Sequence, residues 1–91
     1  MIVESTASFR RCLRGLSDER LQLILDTMHA AAESYGRPHQ HVGIGLRMIG
    51  DFMECRDALE NRLVFQRQGG MLVFEFYGIH DQVRALLRNH R

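Results

Sequence analysis

Histidine and arginine are the side chains of this sequence best suited to act on a phosphate ester. Histidine exchanges protons near neutral pH because its unperturbed pKa is about 6.5, and an arginine guanidinium can grip two phosphate oxygens at once. His80 follows a predicted strand and Gly78, and Arg62 opens another predicted strand. Cleavage of RNA through its 2′-hydroxyl needs a group to take that proton, a group to protonate the leaving 5′-oxygen, and positive charge on the phosphate. These residue types suit such a reaction, and we expect it to need no metal and no cofactor.

A carboxylate and a further arginine lie on a neighbouring predicted strand. Glu54 and Arg56 are two positions apart, so they share one face of that strand. Glu54 is a candidate base or orienting partner, and the alternative is a structural ion pair with Arg56. His39 and His41 have a spacing that could bind a metal, but no Cys, Asp or Glu lies beside them in sequence, so we expect no metal site there.

Length and composition are those of one small globular domain, spanning 1–91. The chain has 91 residues, of which 45% are apolar and 25% charged. Its 12 basic residues are all arginine and face 11 acidic ones, so the net charge of +1 excludes a simple polycation and any anion binding must be local. A local patch could form from several arginines, namely Arg47, Arg56, Arg62, Arg67 and Arg84.

Cellular location can also be predicted from the sequence. No apolar run approaches the roughly 20 residues that span a bilayer, and the first residues lack the pattern of a secretory signal. We therefore expect a cytoplasmic protein with no membrane contact. Cys12 and Cys55 have no metal-type spacing, and we expect both to be small buried apolar groups and not a disulfide.

Apolar periodicity and turn residues place these side chains on strands and helices. Ser8 is the expected N-cap of a short helix and Ser17 that of a longer one, which ends near Gly36. The glycine-rich stretch 36–45 is a predicted loop. Apolar positions at i, i+4, i+7 and i+8 predict a closing helix from Ile79 to Leu87. The predicted strands are 1–6, 51–56, 62–68 and 71–77.

The dipeptide Gly69-Gly70 predicts a tight hairpin and with it a register. A two-residue turn pairs Val64 with Glu75 and Arg62 with Tyr77 on one side of the sheet. The other side is apolar and must be covered by helices; it holds Leu63, Phe65, Leu72, Phe74 and Phe76. The expected architecture is therefore α+β: an N-terminal strand, two helices, an antiparallel three-stranded meander and a C-terminal helix, with the helices at one face of the sheet.

Four segments together resemble the RelE/ParE superfamily of bacterial toxins. They are Ser8-Phe9-Arg10-Arg11-Cys12-Leu13 after the opening strand, Asp51-Phe52-Met53-Glu54-Cys55-Arg56, Asn61-Arg62-Leu63-Val64-Phe65, and Gly78-Ile79-His80-Asp81. In that superfamily an acidic-x-Arg strand, a basic-Leu-Val-Phe/Tyr strand, a short turn, an apolar strand and a Gly-x-His ending follow in this order. The chain is similar throughout its length in element order, and the residue matches lie in 51–81.

The resemblance implies a toxin of a type II toxin–antitoxin pair, held inactive by a cognate antitoxin in a heterotetramer or larger complex. The ribonuclease members enter the ribosomal A site and cut mRNA. In them the position of Arg62 contacts the phosphate and that of His80 serves as acid or base. The predicted site is therefore His80, Arg62 and Glu54 for catalysis, with Arg56, Tyr77 and Arg67 contacting the substrate.

Other interpretations remain open at this point. The superfamily also contains ParE-like toxins that inhibit gyrase without the catalytic set, and the chain could be an inactive relative that serves only as an interaction partner. His80 could cap or orient the last helix, and Arg62 and Tyr77 could be a solvent-facing pair. In every version we expect an antitoxin segment to cover the sheet or the terminal helix, since Val64, Met71 and Val73 would otherwise be exposed.

Overall fold

The computed structural model of the chain describes residues 2–35 and 44–89. In these residues five strands and three helices follow one another. In chain order they are β1 (Ile2–Ser5), α1 (Ala7–Cys12), α2 (Asp18–Ser34), β2 (Arg47–Ile49), β3 (Phe52–Arg56), β4 (Arg62–Gln68), β5 (Met71–Gly78) and α3 (His80–Asn89). Most of the predicted loop 36–45, with His39 and His41, lies outside the described residues.

Both N-terminal helices begin at a side-chain cap. The Ser17 hydroxyl accepts a hydrogen bond from the Arg20 backbone N–H at 3.2 Å, as predicted for α2. The cap of α1 is Thr6 and not Ser8, since the Thr6 hydroxyl accepts from the Phe9 backbone N–H at 3.1 Å. The helix therefore starts earlier than its apolar spacing predicted.

One mixed sheet, in the order β1-β5-β4-β3-β2, joins the two ends of the sequence. β1 lies parallel to β5, with Ile2 opposite Met71 and Ser5 opposite Phe74. The other pairs are antiparallel, and β2, which was not predicted, pairs with β3 through Arg47 and Glu54. The α+β class and the order of elements are confirmed, and the sheet has one strand more than expected.

A β-bulge in the hairpin changes the predicted register. Gln68 faces Met71 as expected, but the register shifts between Val64 and Phe65, so that Val64 pairs with Phe76 instead of Glu75. Arg62 consequently pairs with Gly78 and not with Tyr77. The predicted register is correct next to the turn and wrong beyond the bulge.

The bulge sends Phe76 and Tyr77 to the faces opposite to those predicted. On one face α1 and α2 cover Leu63, Phe65, Leu72, Phe74 and Tyr77. On the other face α3 packs through Val83 and Leu87 on Phe52, Val64 and Phe76. The sheet is thus covered on both faces, whereas helices were expected at one.

Two expectations about burial have different outcomes. Val64 is fully buried under α3, so the prediction that it is exposed was wrong. Cys55 is buried as expected, Cys12 is half-buried, and both thiols are free.

Among the described helices, none combines the length and the apolar character that crossing a membrane requires.

Candidate functional site

The centre of the site is the carboxylate of Glu54, on the α3 face of the sheet. The residue is only 2% exposed, and its Oε1 accepts hydrogen bonds from Arg62 Nη1 at 2.5 Å and from Arg47 Nε at 3.2 Å. A buried carboxylate needs such partners, because an unpaired charge away from water is strongly unfavourable. The two ion pairs therefore hold both guanidinium groups at one place on this face.

Strand register explains why these three residues meet. Arg47 lies directly opposite Glu54 in the β2–β3 pair. Arg62 opens β4 on the same face, diagonally across from Glu54, whose own partner is Val64. The bond between Glu54 and Arg62 thus connects two neighbouring strands near their ends.

The start of α3 brings His80 to this face. Arg62 pairs with Gly78 in the β4–β5 register, and His80 opens the helix two residues later. The helix start is fixed by Gln82, whose Oε1 accepts from the Ile79 backbone N–H at 3.1 Å. A Cβ at position 78 would lie 2.6 Å from that oxygen, so glycine at this position permits the close approach.

The resulting pocket has a volume of about 1010 Å³ and is lined by Glu54, His80 and three arginines: Arg47, Arg84 and Arg88. Asp51 is its second acidic lining residue. The three arginines of the lining face two carboxylates, so the pocket carries net positive charge. Such a pocket can hold an anion such as a phosphate group.

His80 lines the pocket, and Arg62 lies beside it through its bond to Glu54. Arg62 Nε is buried and has no hydrogen-bond partner among the described residues, and 18% of the side-chain surface of Arg62 is exposed. His80 is exposed at the first turn of α3, where its imidazole is accessible for proton transfer. Within residues 2–35 and 44–89 no three His, Cys, Asp or Glu side chains are grouped as a metal site would need.

The structure thus relates two of the predicted site residues to Glu54: Arg62 bonds to it, and His80 lines the same pocket. Arg56 lies apart from them: its Nη1 pairs with Glu60 Oε2 at 3.0 Å, and its guanidinium fills the space beside Gly45. The predicted ion pair between Glu54 and Arg56 does not form, because Glu54 bonds to other arginines.

Arg67 is also away from the pocket, at the hairpin end of the sheet. Its guanidinium carbon lies 5.3 Å from the centre of the Tyr35 ring, and its Nε donates to the Gly69 carbonyl at 3.0 Å. This cation–π contact joins the end of α2 to the hairpin.

Tyr77 lies on the opposite face of the sheet, so the expected pairing with Arg62 is wrong. Its hydroxyl donates to Asp57 Oδ2 at 2.6 Å and accepts from Arg20 Nη2 at 3.0 Å and Asn61 Nδ2 at 2.9 Å. Burial is the main cause that raises the pKa of this phenol, and the hydrogen bond to the Asp57 carboxylate adds to it. Tyr77 therefore ties the β3–β4 turn to α2.

One arginine of the pocket was missed by the sequence reasoning. Arg88 follows His80 and Arg84 at intervals of four residues, so all three share one face of α3. This spacing was present in the sequence, and it identifies the face of α3 that meets the pocket.

Two solved structures have a similar fold. A chain of the RelB–RelE antitoxin–toxin complex from Methanococcus jannaschii superposes with a TM-score of 0.59 at 11% identity, over 91% of this chain and 96% of that chain. The conserved hypothetical protein HP0894 from Helicobacter pylori superposes with a TM-score of 0.56 at 16% identity, over 89% and 96% of the two chains. The chain shares their fold.

At these identities the likeness establishes architecture and not activity. The sequence matches no known family model and no curated protein. The chemistry must therefore be argued from the pocket itself.

Proposed function

We propose that the chain is the toxin of a type II toxin–antitoxin system and that it cuts mRNA as an endoribonuclease of the RelE type. The observation that carries the proposal is the arginine-lined pocket that His80 and Glu54 share, with Arg62 bonded to Glu54 beside it. These residues were selected from the sequence for one reaction, and they come from three separate elements. The fold shared with a chain of an antitoxin–toxin complex supports the same proposal.

In this reaction Arg62 binds the scissile phosphate. Its Nη1 is held by Glu54, so the guanidinium is oriented, and 18% of its side-chain surface remains exposed. Positive charge fixed in place before the reaction stabilises the phosphate as it gains negative charge. Arg84 and Arg88 extend the positive surface along α3 for the neighbouring phosphates.

His80 transfers the proton. It is exposed, and no hydrogen bond of the described residues holds its imidazole, so it can approach the 2′-hydroxyl or the leaving 5′-oxygen. Glu54 is better suited to orient Arg62 than to act as a base, because its Oε1 accepts from two guanidinium groups. We therefore assign Glu54 a positioning role.

The decisive experiment compares induction of the wild-type chain with induction of the His80→Ala variant in bacteria. New mRNA 5′ ends are mapped against ribosome position. We expect cuts within the A-site codon from the wild type and none from the variant. The matched control is His29→Ala, an exposed histidine of α2, which should cut like the wild type. Absence of cuts from the wild type, or equal cutting by His80→Ala, would contradict the proposal.

A gyrase-inhibiting toxin of the ParE type is the second candidate, and one observation favours it. In the part of the chain that the structure describes, the pocket holds a single histidine, and its buried carboxylate is already bonded to two arginines. RNA cleavage uses two proton-transfer groups. Growth arrest that persists in His80→Ala without mRNA cuts would select this candidate, and an inactive relative would cause no arrest.

A cognate antitoxin is the proposed partner in either case, in a heterotetramer or larger assembly. The similar chain from Methanococcus jannaschii comes from a complex of antitoxin and toxin. The expected docking on exposed Val64 does not apply, because α3 covers it. Among the described residues the most exposed large apolar side chains are Ile2 and Met48, on the two edge strands, at 62% and 65% exposure. Co-purification of an adjacent gene product with the chain tests this partner.

A further inference from the structure

Arg47 combines a fixed orientation with access from the pocket. It lies on the edge strand β2, directly opposite Glu54, and its Nε donates to Glu54 Oε1 at 3.2 Å. Its side chain is 55% exposed, compared with 18% for Arg62. Arg47 lines the pocket together with His80, whereas Arg62 is related to the pocket through its bond to Glu54. A ligand in the pocket can therefore reach the guanidinium of Arg47 directly.

The bond to Glu54 leaves one whole edge of the Arg47 guanidinium open. A guanidinium is planar and carries five N–H donors, one on Nε and two on each Nη. Glu54 accepts from the Nε–H, and neither Nη of Arg47 donates to another described residue. The edge formed by Nη1 and Nη2 is thus held in place by the buried carboxylate and remains available. Such an edge can donate two parallel hydrogen bonds to the oxygens of one phosphate group.

The charges around Glu54 also favour an anion of single charge. Arg47 and Arg62 bond to the same oxygen of Glu54, so two positive groups lie close together with one negative group between them. This cluster has an excess of one positive charge, and a phosphodiester carries one negative charge. Binding of a phosphodiester would neutralise the excess and reduce the repulsion between the two guanidinium groups.

We propose that Arg47 is a second phosphate-binding residue, which grips the scissile phosphate through its Nη1 and Nη2 edge while Glu54 positions both Arg47 and Arg62. The inference rests on the proposed function, because the phosphate is the one that reacts beside His80. It also gives a reason for a buried carboxylate in a pocket for anions: Glu54 orients two donors at once. Lysine cannot replace Arg47 fully, because an ammonium lacks the planar fork that bonds to a carboxylate along one edge and to a phosphate along another.

The test is an NMR titration of the 15N-labelled chain with a hexamer of 2′-O-methyluridine. Methylation blocks the 2′-hydroxyl, so binding is measured without cleavage. The hexamer should shift the backbone amide signals of Arg47, Glu54 and His80. Arg47→Gln should weaken binding about tenfold or more and lower the slope of log affinity against log salt by about 0.7, the loss of one phosphate contact.

Arg47→Lys separates an oriented donor from charge alone. It keeps the net charge of the chain and should still weaken binding at least about fivefold. The matched controls are Arg14→Gln and Arg14→Lys, at an exposed arginine that does not line the pocket; both should bind within about twofold of the wild type.

Several outcomes would overturn the proposal. Wild-type binding by Arg47→Lys, with weak binding by Arg47→Gln, would reduce the role of Arg47 to charge. Absence of shifts at Arg47 and Glu54 in the wild type would refute the contact even if a variant does not fold. His80-dependent mRNA cuts that continue at the wild-type level in Arg47→Lys and Arg47→Gln would refute this inference and leave the proposed function standing. Hexamer binding that depends on Arg47, in a chain that makes no mRNA cuts, would support the phosphate contact and refute the reaction.

Discussion

The buried hydroxyl of Tyr77 gives the sharpest test of the fold, because two registers predict opposite results for its removal. In the observed register the hydroxyl has three partners, Asp57, Arg20 and Asn61, at 2.6, 3.0 and 2.9 Å. In the regular register without a bulge it would point to the other face of the sheet. Tyr77→Phe keeps the ring and removes only these hydrogen bonds.

The cost of Tyr77→Phe follows from what each partner loses. The Asp57 carboxylate keeps the backbone N–H groups of Leu59 and Asn61 on its Oδ1, at 2.9 and 3.0 Å, but its Oδ2 loses its donor. A hydrogen bond to a charged group contributes about 1.5–3 kcal/mol, and buried groups left unpaired add to the cost. We expect the free energy of unfolding to fall by about 2–3 kcal/mol. For a domain of this size the melting temperature should drop by roughly 8–24 °C.

Circular dichroism during heating and urea titration measures both quantities. Tyr35→Phe is the matched control, because Tyr35 contacts Arg67 through its ring and that contact remains; its effect should stay below about 0.5 kcal/mol. A loss below about 0.5 kcal/mol in Tyr77→Phe as well would refute the buried network and with it the bulged register.

The same network predicts how stability depends on pH. Burial and the neighbouring Asp57 carboxylate raise the pKa of Tyr77 in the folded chain above its ordinary value. The folded state therefore holds the phenol proton more tightly than the unfolded state. The resulting stabilisation is fully present below pH 10, the ordinary pKa of tyrosine, and is lost as the pH rises through the raised value. Tyr77→Phe should lack this part of the alkaline loss.

Three further changes have defined outcomes. Burial and the charges of neighbouring acidic groups raise the pKa of Cys55 to about 12. At pH 8 a thiol reagent should therefore label Cys12 alone in the folded chain and both thiols after denaturation. Rapid labelling of both thiols in the folded chain would contradict this prediction. Glu54→Ala should lower the free energy of unfolding, measured by urea titration, by about 2–4 kcal/mol, because Arg62, only 18% exposed, loses its counter-charge. An unchanged urea midpoint would mean that the pair is not buried. Gly45→Ala should lower the free energy of unfolding by about 1 kcal/mol or more. The φ angle of Gly45 is +59°, and a new Cβ would lie 2.5 Å from the Arg56 side chain. A melting temperature equal to that of the wild type would exclude this strain.

Local signals in the sequence predicted the parts of the fold that local chemistry decides. Ser17 caps α2, and the hairpin turns at Gly69 and Gly70, as their residue types indicate. The fifth strand, β2, has only three residues and gave no alternating pattern to detect. The parallel pairing of β1 with β5 depends on contacts between distant segments, which periodicity does not report.

The candidate site was also predictable in part, because residue types and their positions are local signals. His80, Arg62 and Glu54 could be selected by residue type and approximate position; in the structure Arg62 bonds to Glu54, and Glu54 shares a pocket with His80. Tyr77 could not be placed, because one extra residue inside a strand reverses the face of every residue beyond it. No residue type near position 75 indicates a bulge, since Glu75 is neither a glycine nor a residue that favours turns.

The bulge at Glu75 links the two faces of the sheet. Because of this extra residue, Phe76 packs under α3 while Tyr77 bonds to the elements on the α2 side. The end of β5 is therefore held from both faces immediately before the turn that starts α3 and places His80. A single irregularity thus fixes the position of His80. In a regular strand Phe76 would face the α2 side and Tyr77 would face the α3 side.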